Sequence, residues 1–369
     1  MERRIHFLDQ LRSHMMLLGI VLHVAGNYNT MPAGYIWPFK DTEVHGFFSG
    51  AVVFIHCFRM QVFFFVAGFF MLLLMEKRGT HAFIKNRTQR ILIPFITLSP
   101  LIGYTCYVLF LKAAGIMAER GVTITFPDSL PLYHLWFLYY LILYYVVTLA
   151  VLRILQRLPA RYIMPLLLLA LGSIPLLQES YLMDTAYGFD IAWGTFFHYG
   201  IFFITGALAY REKDRFYAAV SRFRKPLAGL TIAIAGLVAS LIFAARSGED
   251  PEAVTWYGSL WLGISYFCLC WLIIGIYRKW MDKPSAASRY LADASYWMYL
   301  VHLPLAIAIP MALEPLPVNV FGKFSLSFFL ILSLCLISYH FLVRPTWLGQ
   351  LLNGRKTSLR RTAPELNNA

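Results

Sequence analysis

Ten long apolar runs constrain this chain more than anything else in it. They cover approximately residues 11–29, 47–75, 91–112, 133–152, 162–177, 195–210, 226–245, 257–277, 293–313 and 322–343. A helix needs about 20 apolar residues to cross a bilayer core roughly 30 Å thick. Most of the runs meet that length, and they are continuous. A membrane barrel would instead show alternating segments of about 10 residues. The pattern predicts an all-α, polytopic integral membrane bundle of about ten transmembrane helices. The fifth and sixth runs are short enough to be tilted, broken or only partly spanning. Composition agrees: 59% of residues are hydrophobic and 14% charged, against about 45–50% and 25% in soluble domains.

The loops predict an orientation. One set carries Lys77, Arg78, Lys85, Arg87 and Arg90, then Arg153, Arg157 and Arg161, then a cluster from Arg211 to Lys225, then Arg278 to Arg289, and finally the tail from Arg344. The alternate loops hold only Lys40, Lys112, Arg120, Arg246 and Lys323, together with most of the acids. Basic loops stay cytoplasmic, so both termini are expected there, in agreement with an even number of spans. The net charge of +13 is thereby assigned to the membrane surface and not to nucleic acid. Residues 1–345 are read as one membrane domain and 346–369 as a basic cytoplasmic tail, disordered or lying on anionic headgroups. Arg3 and Arg4 before an apolar stretch would suit a signal peptide, but Asp9 and Arg12 interrupt it, so an uncleaved first helix is expected.

Against this background a few polar side chains stand out. An ionisable group inside a span costs roughly 2.5–3.5 kcal/mol on insertion scales and usually faces a polar cavity. Arg59 interrupts the long second run and is too deep to snorkel; it must pair or line a cavity. His56 lies three residues before it, on the same face if the run is one helix. Arg12 opens the first run and His23 follows eleven residues later. On a helix they share a face, about 16 Å apart along the axis. Asp9 is at ion-pair spacing from Arg12. A snorkelling arginine and an interhelical hydrogen-bonded histidine are the structural alternatives for Arg12 and His23.

Lys85, Arg87 and Arg90 precede the third run. Such a cluster is either a membrane anchor or a clamp for a ligand with several phosphates, such as coenzyme A. His134 and His302 sit in aromatic settings, where an interfacial belt is the plain account; His302 is the deeper of the two. Cys57, Cys106, Cys268, Cys270 and Cys335 fall within apolar runs and read as core residues, and no metal-ligand pattern is present. The chain has no nucleophile elbow, no phosphate-cradling Gly-rich loop and no zinc-binding His pair.

The ordered set of motifs resembles acyltransferase family 3, the integral membrane acyltransferases. Leu8-Asp9-Gln10-Leu11-Arg12 with His23 is similar to that family's N-terminal signature. Phe63-Phe64-Phe65-Val66-Ala67-Gly68-Phe69 is similar to its Phe-Phe-x-x-Ser-Gly-Phe stretch, with Ala67 in place of Ser. Arg87-Thr88-Gln89-Arg90-Ile91-Leu92-Ile93-Pro94 is similar to its basic segment, and His134-Leu135-Trp136-Phe137-Leu138 and Tyr299-Leu300-Val301-His302-Leu303-Pro304 to later motifs. The likeness runs from residue 5 to about 345. Phe58–Phe64 also resembles the glucan-biosynthesis branch, associated with succinylating periplasmic glucans.

The resemblance implies a bacterial inner-membrane enzyme that moves an acyl group, such as acetyl or succinyl, from cytoplasmic acyl-CoA to a carbohydrate hydroxyl on the outer side. No permanently bound cofactor is expected. A thioester needs only a base, a phosphate clamp and a dry pocket. His23 would be the base, with His56 and His302 competing for that role. Arg12 and Arg59 would orient the donor or stabilise the oxyanion, with Asp9 beside Arg12. Arg87, Arg90 and Lys85 would hold the donor, and His56, His134 and His302 would line the substrate cavity. A transporter or flippase is the alternative from another class, since a bundle with buried charge and broken helices suits it too.

Overall fold

A computed structural model describes residues 5–157, 171, 186–222, 224–246 and 256–353 of the 369-residue chain. Apart from Leu171, the fifth run lies outside the described residues, as do Arg161, Asp184 and Asp250.

The described residues form helices joined by loops. In chain order they are α1 (His6–Ala25), α2 (Gly46–His56), α3 (Arg59–Arg87), a π-helical turn (Thr88–Leu92) and α4 (Ile93–Glu119). A single 3₁₀ turn (Tyr133–Leu135) opens α5 (Trp136–Arg157). Then come α6 (Trp193–Arg211), α7 (Lys213–Val220), α8 (Arg224–Arg246), α9 (Trp256–Trp280) and α10 (Ala286–Leu313). The order ends with α11 (Val320–Ser338), a second π-helical turn (Tyr339–Val343) and α12 (Trp347–Asn353). Among the described residues the only extended pairing is an isolated bridge between Gly34 and Trp37.

Among the described residues, five segments are long and apolar enough to cross a membrane: Gly46–Glu119, Tyr133–Val151, Trp256–Trp280, Ala286–Leu313 and Val320–Val343. The first has 74 residues. At 1.5 Å per residue that is about 110 Å, several times one bilayer core, so it must bend or break. It does so at Cys57–Phe58, at Gly79 and at the π-helical turn. Gly79 has φ 81°, a left-handed conformation that only glycine adopts without strain. α1 and α6 fall short of the apolar threshold. They are the helices that carry Asp9, Arg12, His14 and His23, and Thr195 and His198.

The break at Cys57–Phe58 corrects one expectation. The apolar run 47–75 is two helices: α2 ends at His56 and α3 begins at Arg59, with Phe58 non-helical at φ −144°, ψ −26°. His56 and Arg59 are therefore not neighbours on one helix face. No Pro or Gly marks the break, and hydropathy does not register a turn made of apolar residues.

α1 packs on α10, and α10 on α11. α3 crosses α6 so closely that a Cβ at Gly68 would lie 1.9 Å from the Phe203 carbonyl oxygen, and one at Gly206 1.9 Å from that of Phe65. Small residues at such crossings let helix backbones meet. The start of α1 is tied down by Phe7 N–H donating to Asp282 (3.2 Å) and by the Gln10 amide donating to the Lys283 carbonyl (2.9 Å). At the other end of the bundle, Lys323 and Asp41 form a buried ion pair at 3.0 Å.

At the start of the expected tail, residues 347–353 form α12, with Gly349 and Leu352 buried and Trp347 exposed.

Candidate functional site

The bundle encloses a cavity of about 720 Å³, walled by α1, α3, α5, α10 and the loop after α1. That volume is in the range of small-molecule sites. Of the residues singled out from sequence, Asp9, Arg12, His23, His56, Arg59, Arg87, Arg90, His134 and His302 all line it. Lys85 does not; it is exposed. Two helical positions before Arg87 is about 200° around the axis, which turns Lys85 to the opposite side.

The arginines divide into two groups. Arg12 and Arg87 are the cationic neighbours of Arg90. Arg12 sits 3.6 Å from Asp9. The Arg87 guanidinium lies over the rings of Phe83 and Tyr145, at 5.7 and 5.8 Å. Arg90 Nε donates to the Leu352 carbonyl at 3.1 Å, so α12 forms part of the wall. The buried Nε atoms of Arg12 and Arg87 and the Tyr296 hydroxyl have no hydrogen-bond partner among the described residues. This end therefore holds three guanidiniums with donors to spare, an arrangement suited to a polyanion.

Arg59 stands apart, as the charged neighbour of His23, His56, His134 and His302. Its Nη2 reaches only the Met60 sulfur, at 3.4 Å, and its Nε has no partner among the described residues. Nor does any carboxylate among them pair with it. The space it occupies is opened by Gly19 of α1, where a Cβ would lie 2.5 Å from Arg59 Nη1. A half-buried guanidinium held inside the bundle with no anion is costly, so the site is arranged to receive negative charge.

Three imidazoles meet nearby. The His23 ring centroid lies 5.1 Å from that of His302, which lies 5.1 Å from that of His134. His302 Nδ1 faces the carbonyls of Met298 (3.0 Å) and Tyr299 (2.8 Å). It must carry the proton, so Nε2 carries the lone pair. His134 is held in the other tautomer, with Nε2 donating to the Leu300 carbonyl at 3.2 Å. The Tyr299 hydroxyl returns the tie by donating to the His134 carbonyl at 2.7 Å. His56 Nδ1 donates to the Val52 carbonyl at 2.9 Å.

The side chain of His23 has no hydrogen-bond partner among the described residues, and it is positioned by stacking on Trp37 (5.4 Å, 21°). Trp37 Nε1 donates to Asn27 Oδ1 (3.1 Å), and the Asn27 amide donates to the Ala306 carbonyl (3.0 Å). Beside them Lys40 donates to the Gly26 carbonyl (2.8 Å) and to Asn29 Oδ1 (2.6 Å), and burial lowers its ammonium pKa to about 8.

Sequence reasoning missed Trp37, Asn27, Gly19 and Tyr133. Tyr133 lines the cavity with φ 48°, the only positive φ among described non-glycine residues. Such conformations concentrate at functional sites. Its position directly before His134 was the one available signal.

Comparison with known proteins gives this cavity a chemical context. The Glucans biosynthesis protein C of Salmonella agona (strain SL483) is 26% identical to this chain over 382 aligned residues, covering 95% of each. Its namesake in Salmonella enteritidis PT4 (strain P125109) is 27% identical over the same span and share. No solved structure matches the chain significantly. The family profile described as "Acyltransferase domain" matches residues 5–340, which is nearly the whole chain and every cavity-lining histidine and arginine named above. The protein thus belongs to acyltransferase family 3 and is an O-acyltransferase.

Proposed function

We propose that this acyltransferase takes an acyl group, such as acetyl or succinyl, from cytoplasmic acyl-CoA and passes it to a hydroxyl of a glycan on the outer side of the bacterial inner membrane. In this reading the chain makes about ten crossings with both termini cytoplasmic, as its basic loops favour. The observation that carries the proposal is the continuous cavity reaching from Arg87 and Arg90, past Arg59, to His23. The relatives' name supports a glucan as acceptor. Membership in an acyltransferase family displaces the transporter or flippase alternative.

The chemistry follows from the residues present. Arg12, Arg87 and Arg90 bind the donor's phosphates, and Asp9 holds Arg12 in place. Lys85, turned away from the cavity, has no part in this. His23 takes the proton of the acceptor hydroxyl as its oxygen attacks the thioester carbonyl. Arg59 neutralises the oxyanion that forms. Collapse expels the coenzyme A thiolate, which receives the proton from His23. The ester leaves on the glycan, and no acyl-enzyme bond is required.

Purified protein, labelled acyl-CoA and a glucan acceptor test the proposal. Transfer of label to the glucan is the expected result. Replacing both Arg87 and Arg90 by Ala should weaken acyl-CoA binding by roughly 1.5–3 kcal/mol per lost charged contact. Unchanged donor affinity in a folded double variant would make the pair a membrane anchor only.

A further inference from the structure

Two buried imidazole nitrogens in the cavity have nothing to bond to among the described residues. They are Nε2 of His302 and Nδ1 of His134. Both residues are buried, at 1% and 7% exposure, and both line the cavity. In each ring the opposite nitrogen is committed to backbone carbonyls, so the bare nitrogen is a lone-pair acceptor and cannot donate. A buried acceptor left unsatisfied is unfavourable. It is best explained by a ligand that supplies the missing hydrogen. Cations do not suit, because Arg59 stands beside all these rings. Carboxylates and phosphates, which are acceptors themselves, do not suit either. Hydroxyls do.

The spacing limits which hydroxyls. His302 is 5.1 Å from His23 on one side and 5.1 Å from His134 on the other, ring centre to ring centre. Hydroxyls on one sugar ring can reach neighbouring imidazoles at that separation, whereas a monohydroxyl alcohol occupies only one. Both acceptors are held rigidly: Tyr299 and Leu300 of α10 are tied to the turn before α5 by the paired bonds with His134. The strained φ of 48° at Tyr133 aims that turn.

We propose that His134 and His302 select the acceptor, each accepting a hydrogen bond from a hydroxyl beside the one that is acylated, so that the site takes a polyol in preference to a lone alcohol. This rests on the acyl-transfer reading and adds to it which residues choose the acceptor and by what feature. The two act on acceptor binding, while proton removal stays with His23.

The experiment compares acyl transfer from acetyl-CoA and succinyl-CoA to a glucose oligosaccharide, to its monodeoxy analogues and to a simple primary alcohol. Wild type, His302→Phe, His302→Gln, His134→Phe and His134→Asn are measured. The Phe variants keep a ring but remove the acceptor. The His302→Gln and His134→Asn variants return an amide oxygen near the bare nitrogen, and guard against a loss that is only misfolding. The Phe variants should raise the KM for the oligosaccharide about tenfold, the size of one lost hydrogen bond, with the KM for acyl-CoA unchanged. The two amide variants should restore most of it. One deoxy analogue should be poor with wild type and no poorer with a Phe variant.

Equal use of the simple alcohol and the oligosaccharide by wild type would overturn this inference alone. So would Phe variants whose acceptor KM is unmoved, or deoxy penalties that persist in them undiminished. Transfer to none of these acceptors by folded, donor-binding protein would overturn the acyl-transfer reading, and this inference with it.

Discussion

His23 is the residue on which the proposed chemistry turns. Among the described residues it is the one cavity imidazole whose nitrogens are bound to no carbonyl, and the face of Trp37 anchors it. His23→Ala should slow acyl transfer about 10²–10⁴-fold, the usual loss for a general base, while acyl-CoA binding by titration stays intact. Near wild-type turnover would move the base to His302. Gly19 gives a second prediction. Gly19→Ala places a methyl 2.5 Å from an Arg59 nitrogen. The displaced guanidinium should lower turnover by up to about 10²-fold without weakening donor binding. The histidines and Arg59 were legible in the sequence because each interrupts an apolar run. Their division of labour was not. The resemblance gave Arg12 and Arg59 one shared role, donor orientation or oxyanion stabilisation, yet Arg12 lies with Arg87 and Arg90, apart from Arg59. Which nitrogen of each histidine is bare depends on carbonyls of Leu300, Met298 and Tyr299, and side-chain patterns do not encode that.

At the level of helices, the Phe-Phe-x-x-Ala-Gly-Phe stretch is a crossing point. Gly68 and Gly206 bring α3 and α6 into backbone contact, and Phe63 and Ala67 of the same stretch face the cavity. Gly68→Ala and Gly206→Ala should each lower the thermal midpoint in detergent, by an overpacking penalty of about 1–3 kcal/mol or more. Gly50→Ala, with open space around its Cβ, should leave the midpoint unchanged. A fall for Gly50 as large as for Gly68 would defeat this account. Helix identity was readable from run length. Helix breaks were readable only where a residue type enforces them. Gly79 is such a place, and so is Pro94, which offers no N–H to the Arg90 carbonyl beside the π-helical turn at Thr88–Leu92; Cys57–Phe58 is not. Arg59 follows the unmarked break, and Arg87 and Arg90 lie at the π-helical turn, and all three reach the cavity wall.

For the molecule as a whole, orientation is the property most open to direct test. A single cysteine at exposed Glu43 should react with a membrane-impermeant maleimide applied outside intact cells, and one at exposed Lys85 only after the membrane is opened. Labelling of Lys85→Cys from outside would invert the topology and put the arginine end on the wrong face for a cytoplasmic donor. The loop charges are what predict this orientation, whereas the helix at residues 347–353 was not anticipated. That short α12 has a consequence for water. Leu352 and Asn353 form part of the cavity wall next to Arg90, so they act as a stopper at the end where the donor's phosphates would sit, and bar water from following the donor in toward its thioester. A chain shortened after Thr346 should let solvent in there. Its acyl-CoA would then be spent on hydrolysis, and the ratio of free acid to acylated acceptor should rise even where donor affinity falls only slightly.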